Sequence, residues 1–163
     1  MRYLLDTNTF IEAKNRYYTF DVCPGFWEWL GSFGKKQSMI STIHVKKELQ
    51  DGKDELADWI KKMPNSYFIE ADIPIQRKFK PIVNYVMQQN KFSLAEKSRF
   101  LNGADPWLVA AAIKGHATVI THETQVGDNS TKIKIPNICN YFKVPCMNIF
   151  ELLRDEKVKF ELR

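Results

Sequence analysis

The segment Ala104-Asp105-Pro106-Trp107-Leu108-Val109-Ala110-Ala111-Ala112-Ile113-Lys114-Gly115 constrains the fold of this chain more than any other. It carries Asp at a helix N-cap position, Pro at the first helical position, Lys in the last turn and Gly just past the end. The spacing predicts a helix whose alanines let it lie close against a sheet. Ala117-Thr118-Val119-Ile120 follows at once as a short apolar run, the signature of a strand buried on both faces. A capped helix feeding directly into a buried strand is one half of a crossover unit, so the rest of the chain should supply more strands for a parallel sheet.

The chain supplies them. Arg2-Tyr3-Leu4-Leu5 reads as a strand, with Asp6-Thr7-Asn8 as cap residues and Thr9 to Arg16 as a helix. Pro24 and Gly25 break the chain before an aromatic-rich helix, Phe26-Trp27-Glu28-Trp29-Leu30, predicted to end near Gly31 or Gly34. Met39-Ile40 reads as a second strand, Ser41 or Thr42 as the cap, and Ile43 to Leu49 as the next helix. Glu55 to Lys62 is predicted helical, Tyr67 to Ile69 a third strand, and Ile75 to Gln89 a long helix that Pro81 splits or kinks. After Ile120, Gly127 to Thr131 is a polar loop, Ile138 to Phe142 a short helix, Met147 to Ile149 a strand and Phe150 to Arg154 a closing helix. The fold class expected is α/β, a three-layer α/β/α arrangement with a central parallel sheet. In such folds the ligand site lies beyond the carboxyl ends of the strands.

With 163 residues, 44% of them hydrophobic, the chain has the size and apolar content of one domain, and a single domain spanning residues 1–163 is expected. No apolar run approaches the roughly 18 residues of a membrane span, and Met1 to Leu5 runs straight into Asp6 without a leader pattern, so the expected location is the cytoplasm. Cys23, Cys139 and Cys146 form no C-x-x-C pair and His44, His116 and His122 no H-x-x-x-H pair, which excludes a zinc ribbon and the common histidine metal motifs. Any metal here must be held by oxygen. The net charge of +5 suits a polyanionic partner.

Against that basic background, acidic residues stand at particular places. Asp6, Glu48 and Glu123 occur at the end of a predicted strand or within two helical turns of it, and Asp105 opens the best-marked helix. Singly, Asp6 and Asp105 read as helix caps, Glu48 as a solvated residue beside Lys46 and Lys47, and Glu123 as a loop charge. Together on one sheet edge they would repel one another unless cations neutralise them. Oxygen ligands without His or Cys suit Mg²⁺ or Mn²⁺, and two such ions can clamp a phosphodiester for hydrolysis.

These residues carry a family resemblance. Leu4-Leu5-Asp6-Thr7-Asn8-Thr9-Phe10-Ile11 resembles the opening strand of PIN domains, the fold of VapC-type toxin ribonucleases. Ser41 through Glu48-Leu49 resembles the second element, Ala104 to Ala112 the third, and Val119-Ile120-Thr121-His122-Glu123 the fourth, so the likeness runs from Arg2 to about Leu153. The resemblance implies a metal-dependent endoribonuclease acting on RNA, with Asp6, Glu48, Asp105 and Glu123 as metal ligands. Asn8, with Thr7 or Thr121, would orient the ligands or the attacking water. It further implies the toxin of a toxin–antitoxin pair, held inactive by an antitoxin protein covering the acidic cleft, and a homodimer. The fourth position departs from the family pattern: many members carry Asp in Thr-x-Asp where this chain has Glu123, and Asp128 competes for the role.

Glu12 to Trp27 looks like a poorly characterised PIN-like subfamily. Within it, Arg16, Tyr17 and Tyr18 offer a cation and stacking faces to single-stranded RNA, but Tyr17, Tyr18, Phe26, Trp27 and Trp29 read equally well as core or dimer-interface aromatics, so Arg16 alone is the substrate-contact candidate. Among other functions, an aspartyl-nucleophile phosphatase needs a second Asp where Asn8 stands, and a flap-type DNA nuclease would be larger. A catalytically silent PIN-like module that binds RNA or a protein remains the alternative.

Overall fold

A computed structural model of the chain describes residues 2–37 and 40–161. Strand β1 (Tyr3–Leu5) leads through Asp6 into α1 (Thr7–Glu12), which continues as a wider π-helical turn, Ala13–Tyr17. There follow α2 (Pro24–Gln37), β2 (Ser41–Thr42), α3 (Ile43–Gln50), α4 (Glu55–Lys62) and β3 (Phe68–Ile69). The second half runs α5 (Ile73–Gln88), α6 (Leu94–Asn102), α7 (Asp105–Gly115), β4 (Thr118–Ile120), α8 (Ile135–Tyr141), β5 (Cys146–Met147) and α9 (Ile149–Asp155).

All strand pairs are parallel: β1 with β4, β4 with β5, and β2 with β3. Ile40 joins the two ladders, because Leu5 N–H donates to its carbonyl at 2.9 Å while its own N–H donates to Tyr67 at 2.7 Å. The strands therefore lie in the order β3-β2-β1-β4-β5, a central parallel sheet flanked by helices, as expected. The order reverses between β1 and β4. In a sheet wound this way that reversal opens a crevice beyond the strand ends, and Asp6 and Thr121 are the residues that follow those two strands.

The strands are only two or three residues long, yet Leu4, Leu5, Val119 and Ile120 are wholly buried, so helices rather than ladder length close the core. α7 is the central helix: Leu108, Val109, Ala110, Ala111 and Ala112 are all buried, and it packs on α5, α3, α6, α8, β2 and β4. Its mixture of small and branched residues buries nearly every face, so no amphipathic stripe marks it.

Several expectations need correction. α2 runs through both glycines that were expected to end it, from Pro24 to Gln37. At Gly34 a Cβ would fall 2.7 Å from the Tyr67 ring and 2.8 Å from Ile40, so this glycine allows close helix packing and does not stop the helix. The second strand is Ser41–Thr42, displaced from Met39-Ile40, and Met39 lies outside the described residues. The last strand ends at Met147, because Asn148 caps α9 through a reciprocal box with Glu151. Pro81 sits inside α5 without interrupting it, and α6 was not anticipated.

Candidate active site: an acidic cleft at the sheet's switch point

The crevice is a cleft of about 280 Å³ lined by Asp6, Asn8, Glu48, Asp105, Glu123 and Arg99, with Thr7, Gly103 and Ile135 between them. The four acids singled out in the sequence thus line one hollow. Local structure explains how each arrives there. Asp6 follows β1 and caps α1, its Oδ1 accepting from Thr9 N–H at 2.6 Å, while Thr121 at the end of β4 donates its hydroxyl to Oδ2 at 2.6 Å. A carboxylate only 2% exposed is therefore held from both strands of the switch point.

Glu48 lies two turns into α3, a helix that Thr42 starts by accepting from Val45 N–H. Its carboxylate accepts Ala104 N–H, at the start of α7, at 2.8 Å, and also the Thr7 hydroxyl. Glu123 accepts Ile135 N–H, at the start of α8, at 2.8 Å, and Lys134 Nζ at 3.1 Å. Three carboxylates thus satisfy N–H groups that helices α1, α7 and α8 leave unbonded at their first turns, where the helix dipole also favours negative charge. Asp105 differs. It is not the N-cap but the first residue of α7, since Ala104 already has helical backbone angles, and its carboxyl faces the cleft without a capping bond.

The electrostatics follow. Burial pushes the Asp6 carboxyl up to about 6 despite the stabilising bonds from Thr121 and Thr9, with Glu123 adding to the rise. Asp105 is pushed further, to about 7, by burial and then by the charges of Asp6, Glu123 and Glu48, while Arg99 acts in the opposite sense. These carboxyls hold protons that ordinary Asp side chains lose well below neutrality.

Arg99 is the cleft residue that sequence reasoning missed. It lies on α6, bonded through two nitrogens to Glu96 at 2.9 and 3.0 Å. Glu96 in turn accepts Ile133 N–H at 2.8 Å, and with Arg99 as the main cause its carboxyl is drawn down to about 2. A signal for α6 was present: Ser93-Leu94-Ala95-Glu96 has capping-box spacing, and Ser93 does cap the helix, accepting from Glu96 N–H at 3.1 Å.

Not every proposed residue joins the cleft. Asp128 lines a different hollow, with Lys91 and Tyr141. Arg16 pairs with Glu12 at 3.1 Å and is not among the lining residues. Tyr18 stacks on buried Phe26 with ring centroids 4.3 Å apart, and Tyr17 stacks on His122. The donor set suits a hard cation in being all oxygen. Among the described residues, however, no three acidic, His or Cys side chains converge into a formed cation cage, because the outer carboxylates are turned toward the donors named above.

A family model described as "Domain of unknown function (DUF4411)" matches residues 3–160. The chain belongs to the DUF4411 family. No curated protein matches it. Among solved structures, the DUF4411 chain resembles one in the crystal structure of VapBC2 from Rickettsia felis bound to a DNA fragment from their promoter, with a TM-score of 0.56 and 18% identity over 91% of this chain and 98% of that one. At that identity the likeness speaks to the fold, and it bears out the three-layer, PIN-like arrangement read from the sequence. Among the described residues, no helix is long and apolar enough to cross a membrane.

Proposed function

We propose that this DUF4411 chain is a metal-dependent endoribonuclease of the PIN type, hydrolysing RNA phosphodiester bonds, and the toxin of a toxin–antitoxin pair. The observation that carries the reading is that Asp6, Glu48, Asp105 and Glu123, from four separate parts of the chain, line one cleft at the switch point of the sheet. These four carboxylates would hold Mg²⁺ or Mn²⁺, which when bound supplies Lewis acidity toward a phosphate and makes water nucleophilic at neutral pH. Thr121 and Thr9 fix the orientation of Asp6, Thr7 fixes Glu48, and Asn8 offers an amide at the cleft wall for a water or a phosphate oxygen. Arg99 places a cation among the acids, suited to a non-bridging phosphate oxygen. The likeness to a chain of the VapBC2 complex supports an antitoxin partner; in this reading that partner covers the cleft with a basic side chain, and the chain forms a homodimer.

One observation favours a second reading, a silent RNA- or protein-binding module: Glu48 and Glu123 already have protein donors in place of a cation. Purified protein freed of any antitoxin decides between them. Under the first reading it cleaves RNA with Mg²⁺ or Mn²⁺, EDTA stops it, and Asp105→Asn lowers the rate by orders of magnitude while the fold survives. Equal cleavage by wild type and Asp105→Asn would assign the activity to a contaminant. No cleavage across varied RNAs would leave the binding module.

A further inference from the structure

On the ribonuclease reading, the acidic cleft takes the scissile phosphate, with Arg99 and Asn8 beside it, but offers little to the rest of a polyanion. Two other hollows continue from it along the same edge of the molecule. The first, about 440 Å³, shares Glu123 with the cleft and is also lined by Gln125 and Asn140; the second, about 160 Å³, shares those last two residues and adds Lys91, Lys132, Lys134, Tyr85 and Tyr141. Lys134 ties the ends together, since it lines the far hollow while its ammonium lies 3.1 Å from Glu123 of the cleft.

The composition of the far hollow is distinctive. Three lysines line it against one carboxylate, Asp128. Lys91 donates to the Asp128 backbone carbonyl at 2.6 Å rather than to a carboxylate, while Lys132 makes only a long ion pair, 4.0 Å, with a Glu96 that Arg99 already holds, and its side chain stays 69% exposed. Beside them Tyr141 stacks on Tyr85 with centroids 3.8 Å apart, yet is 58% exposed. A ring backed by a second ring and left open to solvent loses little freedom when a base stacks on it, and lysines on the same wall suit the phosphates between bases. A charged groove with exposed aromatic rings and amide side chains is the chemistry that holds single-stranded nucleic acid. Tyr18, by contrast, is stacked on buried Phe26, and Tyr17, though 45% exposed and stacked on His122, has beside it only Arg16, which pairs with Glu12.

We propose that single-stranded RNA runs through this groove to reach the carboxylates, its bases on Tyr141 and its phosphates on Lys91, Lys132 and Lys134. The inference rests on the ribonuclease reading but is tested apart from it, by binding without cleavage. The probe is a fluorescein-labelled ten-nucleotide single-stranded RNA, titrated by anisotropy with full-length protein in EDTA across a range of salt concentrations. Tyr141→Ala should weaken binding roughly tenfold and Tyr141→Phe hardly at all, because stacking needs the ring and not the hydroxyl. The pair Lys91→Ala/Lys132→Ala should lower the slope of log affinity against log salt by about 0.7 per lysine. Lys61→Ala/Lys62→Ala, which removes the same charge from exposed positions on α4, should change neither. Wild-type affinity in the Tyr141 and Lys91/Lys132 variants, or a loss confined to Arg16→Ala, would overturn the groove and leave the nuclease untouched. Groove-dependent binding without cleavage in Mg²⁺ would retire the nuclease and keep the groove.

Discussion

The acidic cleft and the aromatic cluster around α2 are built on opposite principles. In the cluster, Phe26 and Trp27 are buried and stacked on Tyr18 and Phe20 at 4.3 and 4.1 Å, and the Trp27 indole N–H is satisfied by the Tyr18 carbonyl at 2.7 Å. Burying these rings favours the folded chain, and it brings no carboxylates together. In the cleft, Asp6 and Asp105 are taken from water and set near other carboxylates, so their ionised forms oppose folding. One region supplies stability and the other consumes it, as expected where a site is shaped for something other than the fold itself.

The largest effect should come from the cluster. Phe26→Ala removes a fully buried ring and should cost about 3–5 kcal/mol, read as a fall in the denaturant midpoint at unchanged m. A loss below about 1 kcal/mol would mean that the cluster is not part of the cooperative core.

Charge removal in the cleft should act with the opposite sign. An ordinary Asp titrates near 3.8, whereas Asp6 is raised to about 6 and Asp105 to about 7. The folded state therefore binds these protons more tightly than the unfolded one. Their favourable contribution is complete below pH 4 and disappears as pH rises through 6 and 7. Asp105→Asn should then stabilise the metal-free protein by about 4 kcal/mol at pH 8, an order-of-magnitude figure from the shift, and by well under about 1 kcal/mol at pH 4. Melting curves of both proteins at the two pH values provide the check. A variant less stable than wild type at pH 8 would erase the contrast between the regions.

The smallest effect sharpens the boundary between them. Gly→Ala inside a helix normally stabilises by 0.5–1 kcal/mol, but at Gly34 the new methyl would press on Tyr67 and Ile40, the residue that joins the β1 and β2 ladders. Gly34→Ala should cost about 1 kcal/mol instead. A gain in melting temperature would show that α2 can shift outward freely.

What the sequence disclosed, and what it withheld, follow from how local each signal is. Asp6 and the helix at 105–115 were readable because strand end, cap, proline and terminal glycine stand side by side in the chain. The sequence pattern puts the cap at Asp105, whereas the backbone places that role on Ala104, a one-residue difference of the kind helix boundaries invite. Glu48 and Glu123 gave only their spacing from a strand, because the N–H groups that hold them belong to α7 and α8, distant in sequence. Arg99 bonds chiefly to Glu96, three residues away, and the Ser93–Glu96 cap spacing marks its helix, but the meeting of α6 with the cleft is a long-range contact, and an exposed Leu94 weakens the apolar pattern of α6. Gly34 misled because its packing partners, Tyr67 and Ile40, lie on other elements.

The buried alanines of α7 have a further consequence. Ala110, Ala111 and Ala112 act as shims: the separation of packed helices and sheets is set by the side chains at the contact, and these are the thinnest available short of glycine. Asp105 rides on the same rigid rod, one to two turns away. Their volume thus becomes a mechanical adjustment of the distance between Asp105 and the carboxylates of Asp6, at the end of β1, and Glu48, on α3, and drift at three chemically inert positions would detune the cleft without altering a single residue that lines it.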